Sequence, residues 1–202
     1  MLVKFNRSKL NIGSKTIEQP SNSLVKNTLS LWNASLEDAV KYGGELTRAA
    51  INAMDFKNDR KYITVDTKIH MLMPGFCPAI PGWHTDGIPR DESGSPHGKL
   101  KPDVNIQEKM NERGPRFHLL VTGEGCRTNF LSQRHAIIQT SEEPTYDLYK
   151  EMSAQVNKRL NDGTLNRFII PSCTSVEWDW WEIHSGQIAT KKEWRFLIRV
   201  TE

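Results

Sequence analysis

The sequence predicts a mainly β fold with packed helices, a double-sheet jelly roll or related barrel, on two observations. A succession of short stretches is rich in β-branched and aromatic residues and separated by turn chemistry. Against these, two segments carry apolar residues at helical spacing, enough for a few helices on one outer face.

In chain order, residues 1–34 are rich in Ser, Asn and Lys and read as an N-terminal arm or short strand. From Ser35, the apolar positions Leu36, Ala39, Val40, Leu46, Ala50 and Met54 recur at helical spacing, with Ser35 and Asp38 as a capping pair and Gly43-Gly44 weakening the middle. "KYITVDTKIHMLM" then alternates, with Ile63, Val65, Ile69, Met71 and Met73 on one side and Tyr62, Thr64, Asp66, Lys68 and His70 on the other, until Pro74-Gly75 stops the strand. Gly87 to Pro115 is polar and shows neither period, so residues 87–115 read as a flexible loop and a candidate lid. "RFHLLVTG", "TNFLS" and "HAIIQT" follow as strands, and Thr145 to Leu160 as a helix with Tyr149, Met152, Val156 and Leu160 in register and Gly163 beyond its end. "RFIIP", "TSVEWDWWEI" and "EWRFLIRVT" complete the strands. A chain of 202 residues suits a single core, so residues 35–202 are expected to form one domain.

Composition narrows the function classes. The net charge of +3 permits nucleic acid but does not indicate a dedicated nucleic-acid or membrane surface. Cys77, Cys126 and Cys173 are odd in number and outside any C-x-x-C, which fits a reducing compartment. No apolar run approaches a bilayer span, and the first residues lack the apolar stretch of a signal peptide, so a soluble cytoplasmic protein is expected.

The chemistry begins at "PGWHTDG". In extended chain, His84 and Asp86 project to the same side while Thr85 faces away, so both can meet one ion. An H-x-D pair arises by chance in roughly one such sequence in three, and a third ligand is therefore needed. His184, in "WWEIHSGQIA" between two late strands, is a credible return. Two imidazoles and a carboxylate on one face of a metal leave positions open, as non-haem Fe(II) oxygenases require, whereas a closed structural zinc site wants four protein ligands. On the last strand, Trp194, Phe196, Ile198 and Val200 share one face and Arg195, Leu197 and Arg199 the other. If the apolar face packs under the helices, the arginines point into the barrel. A guanidinium there requires an anion, and its planar fork suits a carboxylate; on an edge strand both would simply face water.

The order H-x-D, a His about a hundred residues later and an Arg on the final strand resembles the 2-oxoglutarate and Fe(II)-dependent oxygenases over roughly residues 60 to 202. "PGWHTDG" and "HSGQIATKKEWRFLIRV" look like that family's two signature segments. The resemblance implies a double-stranded β-helix (jelly roll, cupin-like), with His84, Asp86 and His184 as iron ligands and Arg195 binding the distal carboxylate of 2-oxoglutarate. It also implies dioxygen as the other partner, and hydroxylation or demethylation of a substrate with release of succinate and CO2. The substrate class stays open between a peptide side chain, a nucleobase and a small metabolite. Many members place a hydroxyl residue two positions after this arginine, where this chain has Leu197, so Thr128 or Tyr62 would have to complete the carboxylate pocket.

Other candidates read more blandly. Glu177, Asp179 and Glu182 are alternative carboxylate ligands but are expected to be solvated, and Trp178, Trp180 and Trp181 are expected to pack rather than wall a substrate. His70, His118 and His135 sit in strand patterns, and His97 reaches the site only if the polar loop closes. "GEGCRTN" lacks a following helix and reads as a turn, and Arg127 and Arg134 read as surface charge. The rival to an oxygenase is a jelly-roll binding or structural module that keeps the fold, with or without a metal, and has no oxidation chemistry.

Overall fold

A computed structural model describes residues 1–57, 59–91, 100–110 and 114–202. Its frame is a six-stranded antiparallel sheet facing a smaller one. The larger sheet has the order β2 (Asn11–Thr16), β11 (Thr174–Asp179), β7 (Arg116–Val121), β13 (Glu193–Thr201), β4 (Thr64–Leu72) and β3 (Ala34–Ser35). The smaller has the order β10 (Arg167–Ile169), β8 (Thr128–Leu131) and β12 (His184–Gly186), and a bridge from His84 to His184 extends it by one more position. Strands distant in sequence are neighbours throughout, and the two sheets resemble a jelly-roll arrangement.

Register decides what each face carries. β13 pairs with β4 as Arg195↔His70, Leu197↔Lys68 and Arg199↔Asp66, and with β7 as Leu197↔Val121 and Arg199↔Leu119. Since side chains alternate across a strand, these residues share the face turned to the smaller sheet. There Phe117, Leu119, Val121, Val176 and Trp178 meet Phe130, Leu131 and Ile183 in one core, with the Phe130 and Trp178 rings 5.4 Å apart edge to face. The opposite face, with Val65, Leu120, Phe196, Ile198 and Val200, packs under α1 (Asn22–Asn27), α2 (Leu36–Tyr42) and α3 (Gly44–Asn52) through Val25, Ala39, Leu46, Ala50 and Ile51. Each of the larger side chains contributes about 1.5–3 kcal/mol of burial.

The helix expected from Ser35 is two helices. Ser35 caps α2, its Oγ accepting from the Asp38 N–H at 3.0 Å and donating to the Asp38 carboxylate at 2.8 Å. The glycine pair then ends α2 and starts α3, and both halves keep their apolar residues on the sheet. The second expected helix starts three residues later, as α5 (Leu148–Asn161), because Thr145 Oγ1 accepts from the Asp147 N–H in a turn before it. The first 34 residues contribute β1 (Leu2–Phe5), paired with β9 (Ala136–Gln139), as well as β2 and α1. Within 87–115, β5 (Arg90–Asp91) pairs with β6 (Lys101–Pro102) and α4 (Val104–Lys109) is capped by Asp103. His97 and the centre of the expected lid lie outside the described residues. Among the described residues no helix is long and apolar enough to cross a membrane.

Candidate metal centre

Two glycines frame the first ligand segment: Gly82 at φ +83° and Gly87 at φ +74°, conformations that L side chains rarely adopt. Between them the chain runs extended for long enough to dock on β12. The His84 N–H donates to the His184 carbonyl at 3.0 Å, and the His184 N–H to the His84 carbonyl at 2.9 Å. This pair of backbone bonds brings together residues a hundred positions apart in the chain. Thr85 turns into the interior on the other side, as the alternation requires, and His84 and Asp86 face the same space.

One donor atom from each of His84, Asp86 and His184 lies within 4.8 Å of the others. The His84 and His184 rings are 4.6 Å apart, and His184 Nε2 is 3.5 Å from Asp86 Oδ2. Each imidazole is oriented by a backbone carbonyl: His84 Nδ1 donates to Gly82 O and His184 Nδ1 to Glu182 O, both at 3.0 Å. A carbonyl can only accept, so each Nδ1 carries a proton, which leaves Nε2 as the ring atom that can ligate. Burial, aided by the neighbouring His184, pushes the His84 pKa down to about 4, with Asp86 opposing; the ring is neutral at pH 7. For Asp86, burial alone would favour the protonated acid. The hydrogen bond and charge of His184, with Arg199 and His84, outweigh it and hold the carboxyl far below the usual range. Two imidazoles and one carboxylate form a donor set that suits iron and similar divalent metals.

The triad borders a cavity of about 160 Å³ whose walls include Lys68, Thr128, Trp178, Arg195, Leu197 and Arg199. Arg195 is 2% exposed, and its Nε and Nη1 have no hydrogen-bond partner among the described residues. Burial works against its charge, and the carboxylate of Glu193, two residues earlier on β13, is engaged by the Gly125 N–H at 2.5 Å. Arg199 is different: it spans Asp66 Oδ2 at 3.3 Å and Asp86 Oδ2 at 3.6 Å.

Thr128 reaches the cavity from β8. Tyr62 does not: it is 75% exposed and lines a separate groove with Val40 and Lys61, because the strand expected to hold it begins only at Thr64. Glu177 and Glu182, expected to be solvated, are buried; Asp179 is partly so. None joins the cluster of ligands. Glu177 pairs with Lys57 at 2.7 Å, Asp179 accepts from the Trp181 N–H at 2.8 Å, and burial, reinforced by Asp179, pushes Glu182 up to about 8. The three tryptophans are core residues, although Trp178 also walls the cavity and meets the His184 ring at 5.3 Å. Glu193 occupies the turn at Gly123–Gly125, and Arg127 pairs with Glu124 at 3.0 Å. Asp66, Lys68 and Arg199 were legible as one face of the β-alternation, and only the register made that face the cavity wall. Tyr149, Ser153 and Asn157, which bond the ligand segment, carry no sequence signal beyond their helical spacing.

A jelly-roll-like pair of sheets with a His-Asp…His triad on its inner side is the oxygenase-like combination that the sequence resemblance implied. No family model matches the chain, and no curated protein matches it in sequence. Two crystal structures of a novel N-substituted L-amino acid dioxygenase from Burkholderia ambifaria AMMD, one in complex with alpha-KG, align with it. The complex shares 9% identity at a TM-score of 0.38, over 82% of this chain and 61% of that one. The other shares 10% at 0.38, over 81% and 60%. This chain thus spans about six-tenths of the length of those proteins, and a likeness so distant assigns it no activity.

Proposed function

We propose that the chain is an Fe(II)- and 2-oxoglutarate-dependent dioxygenase on a double-stranded β-helix, with His84, Asp86 and His184 holding iron and Arg195 holding the distal carboxylate of 2-oxoglutarate. The observation that carries this reading is the buried, unpartnered guanidinium of Arg195 in the wall of the cavity that the triad borders. An uncompensated buried charge costs several kcal/mol, and a dicarboxylate anchored at its other end by a metal would supply the missing anion. When bound, the two groups supply oxidation of a substrate C–H bond, by hydroxylation or demethylation, coupled to formation of succinate and CO2.

The protein's own part is binding, orientation and exclusion of water. The backbone carbonyls of Gly82 and Glu182 hold each Nδ1 proton, which leaves Nε2 as the ligand atom of both rings. Arg199, 3.6 Å from Asp86 Oδ2, helps keep that carboxylate ionised and in place as a ligand. Trp178 and Leu119 give the wall its apolar part, and Thr128, which lines the same cavity, would supplement Arg195 in place of Leu197.

The test is anaerobic addition of Fe(II) and 2-oxoglutarate. Together they should give a visible charge-transfer absorption that neither gives alone, and His84→Ala or Asp86→Ala should abolish it. Folded wild-type protein that binds metal but gives no such absorption would favour the binding-module reading, to which Leu197 at the position of a family hydroxyl already lends weight.

A further inference from the structure

The segment from Trp83 to Asp86 is held from two sides, and the bridge to His184 is only one of them. The other is α5. Tyr149, Ser153 and Asn157 stand four residues apart along it and form one stripe, and each is bonded to the ligand segment. Ser153 Oγ accepts from the Trp83 N–H at 2.7 Å and donates to the Trp83 carbonyl at 3.0 Å. Asn157 Oδ1 accepts from the Trp83 indole at 3.0 Å. The Tyr149 hydroxyl donates to the Thr85 carbonyl at 2.9 Å, and its ring meets His84 edge-on at 6.0 Å. Burial pushes the Tyr149 pKa up to about 12, so the hydroxyl remains a donor across the working range of pH. At Gly82 a Cβ would lie 2.5 Å from Ser153 Oγ, so only a bare backbone lets the helix approach this closely.

The helix is itself immobilised. Leu148, Met152 and Val156 are buried in the core, and Gln155 and Arg159 bond the backbone of β9. Apolar packing alone would anchor α5; bonds to backbone groups on both sides of His84 do something further, fixing the peptide planes that aim its side chain and that of Asp86.

We infer that α5 is a latch that sets the ligand geometry before the ion arrives, with Tyr149, Ser153 and Asn157 as positioning residues. The inference rests on the metal-centre reading above. Ordering the ligands during folding removes that cost from binding, so the latch acts on metal affinity and coordination geometry more than on global stability.

Co(II) is a suitable probe, because its d–d absorption reports coordination geometry without turnover. Ser153→Ala should weaken Co(II) binding about tenfold and alter the d–d bands, as loss of a supporting partner does. In the metal-free protein the same variant should speed hydrogen exchange at the Trp83 amide while the thermal midpoint changes little. Asn157→Asp keeps the acceptor and should bind like wild type, whereas Asn157→Leu should lose affinity. Tyr149→Phe, which removes only a hydroxyl, carries the test if Ser153→Ala folds poorly. A merely structural helix would lower affinity only in step with stability and leave the Co(II) spectrum unchanged; that result, or undiminished binding by all the variants, overturns the inference alone. Wild-type protein that takes up no Co(II) overturns the metal-centre reading as well.

Discussion

The two faces of β13 hold opposite chemistry in the same nine residues. Phe196, Ile198 and Val200 are fully buried against helices and neighbouring strands, in a dry apolar layer. One residue away, Arg195 is nearly as buried yet lacks a full set of partners, and Arg199 bridges two carboxylates. The first face is finished by folding. The second leaves Nε and Nη1 of Arg195 without partners among the described residues, and on the proposed reading this difference separates residues that stabilise from residues that bind.

The comparison breaks most visibly on the apolar side. Phe196→Ala should cost about 3–5 kcal/mol in denaturant unfolding, through lost burial and the cavity left behind. In protein that still folds, the affinity of the triad for a divalent ion should stay close to wild type. Equal losses of stability and metal affinity would mean that the two faces are not separable.

A smaller effect of opposite sign is expected on the charged face. Arg195→Met removes a buried charge at similar volume, so metal-free stability should hold or rise by about 1 kcal/mol. The 2-oxoglutarate concentration needed for the charge-transfer absorption should meanwhile rise at least about tenfold, the loss expected when a charge-assisted bond worth about 1.5–3 kcal/mol disappears. Unchanged cosubstrate affinity would remove Arg195 from the site.

The smallest effect concerns protons and sharpens the comparison on the helix-side face of β7. His118 is buried there, and its pKa is lowered first by burial, with Arg116 adding and Glu202 and Glu177 opposing. The folded state therefore resists a proton that the unfolded chain accepts near pH 6.5. Stability from this group is fully present above that pH and is lost as pH falls below it, by at most about 1.4 kcal/mol per pH unit. In a pH series of unfolding curves, His118→Gln should flatten the slope between pH 6.5 and 5; an unchanged slope would assign it to other groups.

Much of this was legible in the sequence because it depends on local periodicity. The alternation of "EWRFLIRV" placed Arg195 and Arg199 opposite the apolar face, and the cap at Ser35 and the spacing of α5 were readable residue by residue. The failures share one cause. β1 and β2 left little trace because their pairing with β9 and β11 is set by partners more than a hundred residues away. Tyr62 was a candidate for its hydroxyl, and side-chain chemistry says nothing about where a strand begins. Glu177 and Glu182 looked solvent-facing for want of any sign of their burial.

The amino-acid order by itself determined which residue types could bind an ion and which side of a strand each would occupy, since a two-residue repeat and the donor chemistry of imidazole and carboxylate are local properties. Only the tertiary structure decided that His84 pairs with His184, that the face bearing Arg195 encloses a cavity, and that α5 grips the ligand segment. Those outcomes depend on hydrogen bonds and packing between segments far apart in the chain, and no local pattern encodes which distant partners will meet.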